Sequence, residues 1–509
     1  MRLRRKHEFQ VLFMKTVGII AEYNPFHNGH RFHIEESRRR TGADYVIAVI
    51  SGDFVQRGAP ALLSKYDRAR MALLYGADLV FALPATSALS SAEGFAAGGV
   101  SLLSGLGVVD VLSFGCESAA SDPEQFQKVA AILTDEPGDF QTKLSQCLKK
   151  GMSFPKAREL AVVEYLRIHA PTGHLTQTGS GSDIRFRTDL SSGNDVRSAN
   201  AATQHGSHIQ DEECETAVRR LLSEPNNILA LEYAKAVRKC GASMDLCMIR
   251  REGSPYHGTE LSDSFSSAAA IRSHLLSHTD VIPFGFYSSD AENRLSVYTD
   301  PDPVQAEFSP ADTAVSACSK LRGSVPPTVL QMLQHAVENH QFLSENDFSA
   351  LLHYALTTNR DHLDTFGSGS PDLAHRAANL LEGFESWTQF ADLLKSRNQT
   401  RTAISRYLTH ILLQIRREDF ELAATYARAP YARLLGFRTS AAPLLKSIRN
   451  HADIPVLTQL APDAASLDED RKHLLDLDIR SAEICKHILY TKSGCLLKSE
   501  YRQSTICLP

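Results

Sequence analysis

Four short runs of apolar residues, 17–21, 45–50, 79–83 and 109–114, recur about every 30 residues at the start of the chain. Each run is strand-sized and continuously apolar, and helical periodicity fills the gaps between them. Unbroken apolar strands joined by crossovers of helical length predict a parallel sheet covered on both faces. The expected fold class is α/β, a Rossmann-like doubly wound parallel sheet, followed by an α-helical C-terminal domain. In such sheets ligands bind beyond the carboxyl ends of the strands, where loops lead into helices.

The rhythm changes after residue 169. From 171 to 210 there are five glycines and six serines but only six residues from Leu, Ile, Val and Phe, too few to order a core element. This stretch reads as a flexible insertion. Regular patterns resume as helices at 215–222 and 227–239, a strand at 244–250 and a helix at 266–276, which complete a first domain over 14–282. Beyond it helical periodicity remains, at 329–337, 348–356, 374–384 and 404–415, and predicts a helical second domain over 283–509. Residues 1–13, with Arg2, Arg4, Arg5 and Lys6, read as a dispensable basic tail ahead of Met14, a second start codon, with a basic RNA-touching arm as the alternative; no signal-peptide core follows.

Composition narrows the class without naming a function. A chain of 509 residues, 43% hydrophobic and 22% charged, is neither disordered throughout nor a collagen or disulfide scaffold. Nine scattered cysteines without a C-x-x-C pair indicate reduced thiols and a cytoplasmic location. No apolar run reaches the roughly 18 residues of a membrane span, and no protein partner is indicated. The net charge of −5 argues against a chain-wide grip on nucleic acid, yet residues 395–450 hold eleven basic side chains and three acids, +8 against −13 elsewhere. Tyr407, Tyr426 and Tyr431 lie among these arginines. Two readings stay open: a surface that tracks phosphates and stacks unpaired bases, or a solvated helical face over core tyrosines.

The candidate chemistry lies after the first strand. There is no G-x-G-x-x-G at that strand and no G-x-x-x-x-G-K-[ST] in the chain, which sets dehydrogenases and P-loop enzymes aside. Instead the strand runs into Ala21-Glu22-Tyr23-Asn24-Pro25-Phe26-His27-Asn28-Gly29-His30, with a helix opening near Asn28. Two histidines three apart on a first helical turn stand beside unpaired backbone N–H groups, a corner that attracts anions. The arrangement suits attack on the α-phosphate of a nucleoside triphosphate. His27 and His30 donate to phosphate oxygens as charge accumulates, Gly29 admits the nucleotide, and Asn24 or Asn28 orients phosphates. A second signal, Ser266-Ser267-Ala268-Ala269-Ala270-Ile271-Arg272, offers hydroxyls at a helix start and an arginine for pyrophosphate, or else an ordinary N-cap.

Together these segments resemble the H-x-G-H nucleotidyltransferase superfamily. The narrower match is carried by Val17 to His30, Ser51-Gly52-Asp53-Phe54-Val55-Gln56-Arg57-Gly58, Ser64-Lys65, Gly76-Ala77-Asp78-Leu79-Val80 and Pro225-Asn226-Asn227-Ile228-Leu229. It resembles the bacterial tRNA(Met) cytidine acetate ligase family from about residue 14 to the mid-400s. The resemblance implies that acetate and ATP give acetyl-adenylate and diphosphate. The wobble cytidine of elongator tRNA(Met) then takes the acetyl group as N4-acetylcytidine and AMP leaves. It further implies catalytic roles for His27 and His30, a nucleotidyltransferase-like ATP-binding role for 14–282 and a tRNA-binding role for the helical domain 283–509. The implied ATP contacts are Ile20, Ala21, Glu22, Tyr23, Asn24, Pro25, Phe26, His27, Asn28, Gly29, His30, Arg31, Phe32, His33, Gly115, Asn227, Arg250 and Arg251. Mg²⁺ is expected as the companion of ATP, and no carboxylate cluster marks a dedicated metal site. Lys65 and Arg57 are further candidates for acetate or phosphate, with a structural ion pair as the alternative. The chain lacks the threonine of the superfamily pattern at Ser266-Ser267-Ala268-Ala269. The competing readings are an adenylyltransferase acting on a small phosphate-bearing metabolite, and a non-catalytic RNA-binding protein on the same fold.

Overall fold

The computed structural model describes residues 14–117, 122–169, 207–251, 266–278, 310–367, 369–396 and 399–509. The expected tail 1–13 lies outside them. So does the expected insertion, apart from its last four residues, which open the helix Ser207–Ser223.

The strands in chain order are β1 (Thr16–Ala21), β2 (Tyr45–Ser51), β3 (Phe54–Val55), β4 (Ala59–Pro60), β5 (Leu79–Leu83), β6 (Val111–Cys116), β7 (Asp245–Arg250), β8 (Ala432–Arg438), β9 (Val456–Leu457) and β10 (Ile506–Leu508). Five of them form the parallel heart of the sheet in the order β5-β2-β1-β6-β7. Each apolar run serves two cores at once. In β2, Ile47 and Val49 pack against Phe95, Val100 and Leu103 on one face, while Val46, Ala48 and Ile50 join Ile34, Met71 and Ile271 on the other. Period-two alternation between two buried faces is why these strands read as unbroken hydrophobic runs.

The order reverses at β1: the first crossovers build outward through β2 to β5, and the chain then returns to β6 on the other side. This is the topological switch point of a doubly wound sheet, and the crevice outside β1 and β6 is where such folds bind ligands.

The C-terminal half is largely helical, as its periodicity predicts, with Trp387, Phe348, Phe390, Tyr407 and Leu408 at the centre of a third apolar core. Two expectations change. The region beyond 283 also supplies strands: β8 runs antiparallel to β5, pairing Val80 with Gly436, and β9 and β10 lie parallel to β8. Moreover, the helices Pro310–Ser319 and Pro327–Glu338 and the turn between them place Cys318, Leu321, Val329 and Leu333 in the same core as Val17 and Ile19 of β1. Helical content after 283 therefore does not make a separately packed unit.

The basic stretch 395–450 also changes meaning on folding. Arg401 pairs with Asp392 at 3.0 Å, Arg417 donates to the Asp364 and Gly369 carbonyls, and Arg416 lies 5.1 Å from the centroid of the Phe366 ring. Arg406 reaches the Gln56 carbonyl, and Arg433 is bound to Glu500. Tyr407 and Tyr431 are fully buried and cannot stack on a base. Tyr407 and Tyr431 follow the core reading, whereas Tyr426 is half-exposed with the Arg471 guanidinium 4.4 Å from its ring centroid. Arg401, Arg406 and Arg433 have internal partners, and Lys395, Lys446 and Arg449 stay exposed.

Candidate functional site

A cavity opens at the carboxyl ends of β1, β6 and β7, at the switch point. It is lined by Ile20, Ala21, Glu22, Tyr23, Asn24, His27, Gly29, His30, Phe32, His33, Gly115, Arg250 and Arg251 from the expected set, and by Ser266, Ser267 and Arg272 from the second signal. Arg57 lines it as well. Lys65 does not: its ammonium lies 2.6 Å from Asp53 and 3.1 Å from Glu500, in the buried cluster with Arg433.

The H-x-G-H turn is built as a helix cap. His27 is the N-cap of the helix Asn28–Thr41, and its Nδ1 accepts the Gly29 N–H at 3.1 Å. Three residues on, His30 reaches back, and its Nδ1 accepts the His27 N–H at 3.3 Å. This reciprocal capping box satisfies two of the orphan donors of the helix start. The two rings stack with centroids 3.7 Å apart. Because each Nδ1 accepts, a neutral ring must carry its proton on Nε2. Gly29 has a more local reason than nucleotide access: a Cβ there would stand 2.9 Å from Cε1 of His27.

All three imidazoles of the turn favour the neutral form. Burial, then the guanidiniums of Arg251 and Arg272, push His27 down to about 3. Burial, then His27, Arg251 and His33, hold His30 well below the usual imidazole range. His33 is pushed down to about 4 by burial and then by Arg251. Its proton position follows from a chain of hydroxyls. Ser37 Oγ donates to the His33 carbonyl at 2.6 Å, so it must accept from Ser113 Oγ at 2.7 Å. Ser113 in turn accepts from His33 Nε2 at 3.2 Å. The site thus offers neutral N–H donors on a helix start, beside fixed guanidiniums, which is a receptor for a polyanion.

Guanidiniums frame the rest. Arg272 donates to the Asn24 carbonyl at 2.6 Å, and Asn24 Oδ1 accepts from Leu62 N at 2.8 Å, so the loop after β1 is pinned from both ends. Fully buried Arg68, which the sequence did not flag, ties the Glu22, Ser51 and Leu63 carbonyls together beneath the cavity. Gly115 leaves room for Arg251, whose Cγ would lie 3.4 Å from an added Cβ. Ser267 is the N-cap of Ala268–Leu276, and its Oγ accepts from Ala270 N at 3.0 Å. Glu22 is the one carboxylate among the described lining residues. Its Oε1 accepts from Gln56 N at 2.9 Å.

Five expected contacts lie off the lining. Phe26 is core, stacked on Tyr75. Arg31 pairs outward with Glu35 at 2.7 Å. Asn28 holds the Gly323 carbonyl at 2.7 Å, and Pro25 follows Asn24 in the buried part of the loop. Asn227 is fully buried, with its Oδ1 accepting from Glu117 N at 2.9 Å. Its neighbour Asn226 faces the cavity instead. Sequence reasoning also missed Gln56, Phe95, Phe114, Leu229, Tyr233 and Ile249 in the lining. Of these, Asn226 and Leu229 lay within the quoted Pro-Asn-Asn segment, and only the helix phase could have singled them out. Among the described residues no group of three His, Cys, Asp or Glu side chains could hold a metal ion, and no helix is long and apolar enough to cross a membrane.

Comparison with known proteins agrees with this geometry. Residues 14–498 match the model of the HIGH Nucleotidyl Transferase family. A tRNA(Met) cytidine acetate ligase of Acetivibrio thermocellus is 29% identical over 97% of this chain and 100% of its own. One of Caldanaerobacter subterraneus subsp. tengcongensis is 31% identical over 91% of this chain and 93% of its own. Crystal structures of Thermotoga maritima TmcAL, apo and bound with alpha-thio ATP, superpose with TM-scores of 0.76 and 0.74 at 26% identity, each covering 97% of this chain and 100% of theirs. With a doubly wound sheet, a histidine-capped helix at its switch point and relatives aligned nearly end to end, the chain belongs to the tRNA(Met) cytidine acetate ligase family of HIGH nucleotidyl transferases.

Proposed function

We propose that this protein is an ATP-dependent acetate ligase that forms N4-acetylcytidine at the wobble cytidine of elongator tRNA(Met). The observation that carries the reading is the neutral, stacked His27–His30 pair, each with its proton on Nε2, at a helix start beside Arg251 and Arg272. An acetate oxygen attacks the α-phosphorus of ATP, the bond to the bridging oxygen breaks, and diphosphate leaves. Negative charge grows on the α-phosphate and on the leaving group. Preset donors that need no reorganisation stabilise that charge most. His27 and His30 act as those donors, with Arg251 and Arg272 neutralising the diphosphate. Mg²⁺ bound with ATP would offset phosphate charge; among the described residues no group of three His, Cys, Asp or Glu side chains would hold it.

In the second step the cytidine amine attacks the acetyl carbonyl. The N–C bond forms, the C–O bond to phosphate breaks, AMP leaves, and the amine loses a proton. Glu22 suits that proton, being the one carboxylate among the described lining residues of an otherwise basic cavity. The test is incubation of the purified protein with ATP, labelled acetate and elongator tRNA(Met). Label in the tRNA as acetylcytidine, dependent on ATP, is the expected result. Transfer of AMP to a small phosphate-bearing metabolite, or tRNA binding without diphosphate release, would replace this reading with the adenylyltransferase or the RNA-binding protein.

A further inference from the structure

Arg406 and Arg433 of 395–450 are turned inward, while Lys395, Lys446 and Arg449 stay exposed there; outside that stretch one further segment stands out. Residues 148–156, Leu-Lys-Lys-Gly-Met-Ser-Phe-Pro-Lys, are nine consecutive exposed positions with three lysines and no acid. Phe154 is 55% exposed, Leu148 40% and Met152 37%, and among the described residues no other phenylalanine is exposed. Lys149 and Lys150 have no ion-pair partner among the described residues, whereas Lys156 pairs with Glu159 at 2.7 Å. The segment is the bend between the helices Gly138–Lys149 and Phe154–Ile168. It is held firmly at its base: Ala157 is fully buried, and the Arg158 guanidinium sits 5.9 Å from the Phe154 ring centroid.

Ion pairs fix which way the bend faces. The helix Pro225–Lys239 begins at the cavity, where Asn226, Leu229 and Tyr233 line it, and Glu232 beside Tyr233 pairs with Arg158 at 3.0 Å. Arg158 is four residues, about 6 Å along the helix, from Phe154. At the opposite end of Pro225–Lys239, Arg238 pairs with Asp135 at 3.3 Å, and Arg167 near the far end of Phe154–Ile168 pairs with Glu215. The bend therefore emerges on the cavity's side of the sheet.

We propose that the 148–156 bend is an RNA-docking surface of this protein, in which Lys149 and Lys150 hold backbone phosphates and Phe154 stacks on an unpaired base. Exposed cations beside an exposed aromatic ring are the chemistry that grips single-stranded loops, since every base has a stacking face and every nucleotide a phosphate. The inference rests on the ligase reading for the identity of the RNA, the anticodon loop that brings its cytidine to the cavity. An exposed Leu-Met-Phe set beside lysines could instead meet an anionic membrane, and the experiment separates the two.

Three proteins are compared: wild type, Lys149→Ala/Lys150→Ala and Phe154→Ala. Measured for each are acetate-dependent ATP–diphosphate exchange, the dissociation constant for elongator tRNA(Met) over a salt series, and cosedimentation with phosphatidylserine vesicles. All substituted side chains are exposed, so exchange without tRNA should stay at the wild-type rate and certify the fold. The expected result is tRNA binding at least fivefold weaker in Phe154→Ala, and a log–log salt slope shallower by about two in the double lysine variant. Wild-type tRNA acetylation with unchanged tRNA binding in both variants would overturn the docking surface while leaving the ligase reading intact. Vesicle binding by the wild type that the variants lose, with tRNA binding unaltered, would assign the bend to a membrane and overturn it too. A wild type that exchanges diphosphate but neither binds nor acetylates tRNA would overturn both readings together.

Discussion

The rings of His27 and His30 stack 3.7 Å apart, and each gives its Nδ1 to the backbone of the same helix start. Structure and proposed chemistry thus share the same atoms: capping fixes the tautomer, and the tautomer supplies the donor. His30→Ala removes one donor and half of the capping box. It should lower acetate-dependent diphosphate exchange by about 10²–10³-fold and cost about 0.5–2 kcal/mol of stability. Rates and urea unfolding on one preparation check both. Exchange within threefold of wild type would remove His30 from the mechanism.

Acid should act on the stability of the histidine turn before it changes the proton state of the nucleotide complex. Unfolded imidazoles protonate near 6.5, whereas His27 and His33 in the fold are pushed down to about 3 and about 4. Folded values below unfolded ones give a contribution that is complete above about 6.5 and is lost as pH falls toward those lower values. The melting temperature should therefore drop as pH falls from 7 to 4, and less steeply in His33→Asn. Because each Nδ1 accepts a backbone N–H, the pair should stay neutral when ATP binds, with little proton uptake by the turn from pH 7 to pH 5. Calorimetry in two buffers of different ionisation enthalpy reads this directly, and uptake of a full proton by wild type that His30→Ala loses would mean that a ring charges and its cap opens.

Glu22→Gln keeps an oxygen for the Gln56 N–H and removes the base. Diphosphate exchange should stay within a few-fold of wild type, while single-turnover acetyl transfer to tRNA slows by about 10²-fold or more. Equal loss in both half-reactions would make Glu22 a binding group rather than the proton acceptor.

Gly29→Ala sets a methyl group 2.9 Å from the His27 ring. The ring must swing off the cap, so ATP affinity should fall at least tenfold with little change in overall content of helix. Titration of a non-hydrolysable ATP analogue, with circular dichroism alongside, tests this.

The buried cluster at the other edge of the cavity loop should govern stability rather than chemistry. Glu500 is paired with Lys65 and Arg433 and accepts from the Tyr66 hydroxyl at 3.1 Å. Although burial opposes ionisation, Lys65 and Arg433 pull its carboxyl down to about 2. Glu500→Ala leaves two buried cations short of a partner and should cost about 3–5 kcal/mol, read by urea unfolding. Unchanged stability would mean that water replaces the carboxylate without penalty.

The sequence by itself determined the parallel sheet and the histidine turn, because both are local. Two buried faces leave their mark as unbroken apolar runs such as 45–50, and a helix cap needs only residues three apart, as at His27 and His30. What the fold alone decided depends on residues far apart in the chain. Strand β8 is recognisable only once β5 and β10 flank it, and Tyr66 meets Glu500 across 434 residues. The same distance effect turned Arg406 and Arg433 of the basic stretch 395–450 inward, since whether an arginine faces solvent or a carbonyl is set by what packs beside it. Helix phase likewise chose Asn226 over Asn227 for the cavity, because a rotation of 100° per residue separates two neighbours that look alike in the sequence.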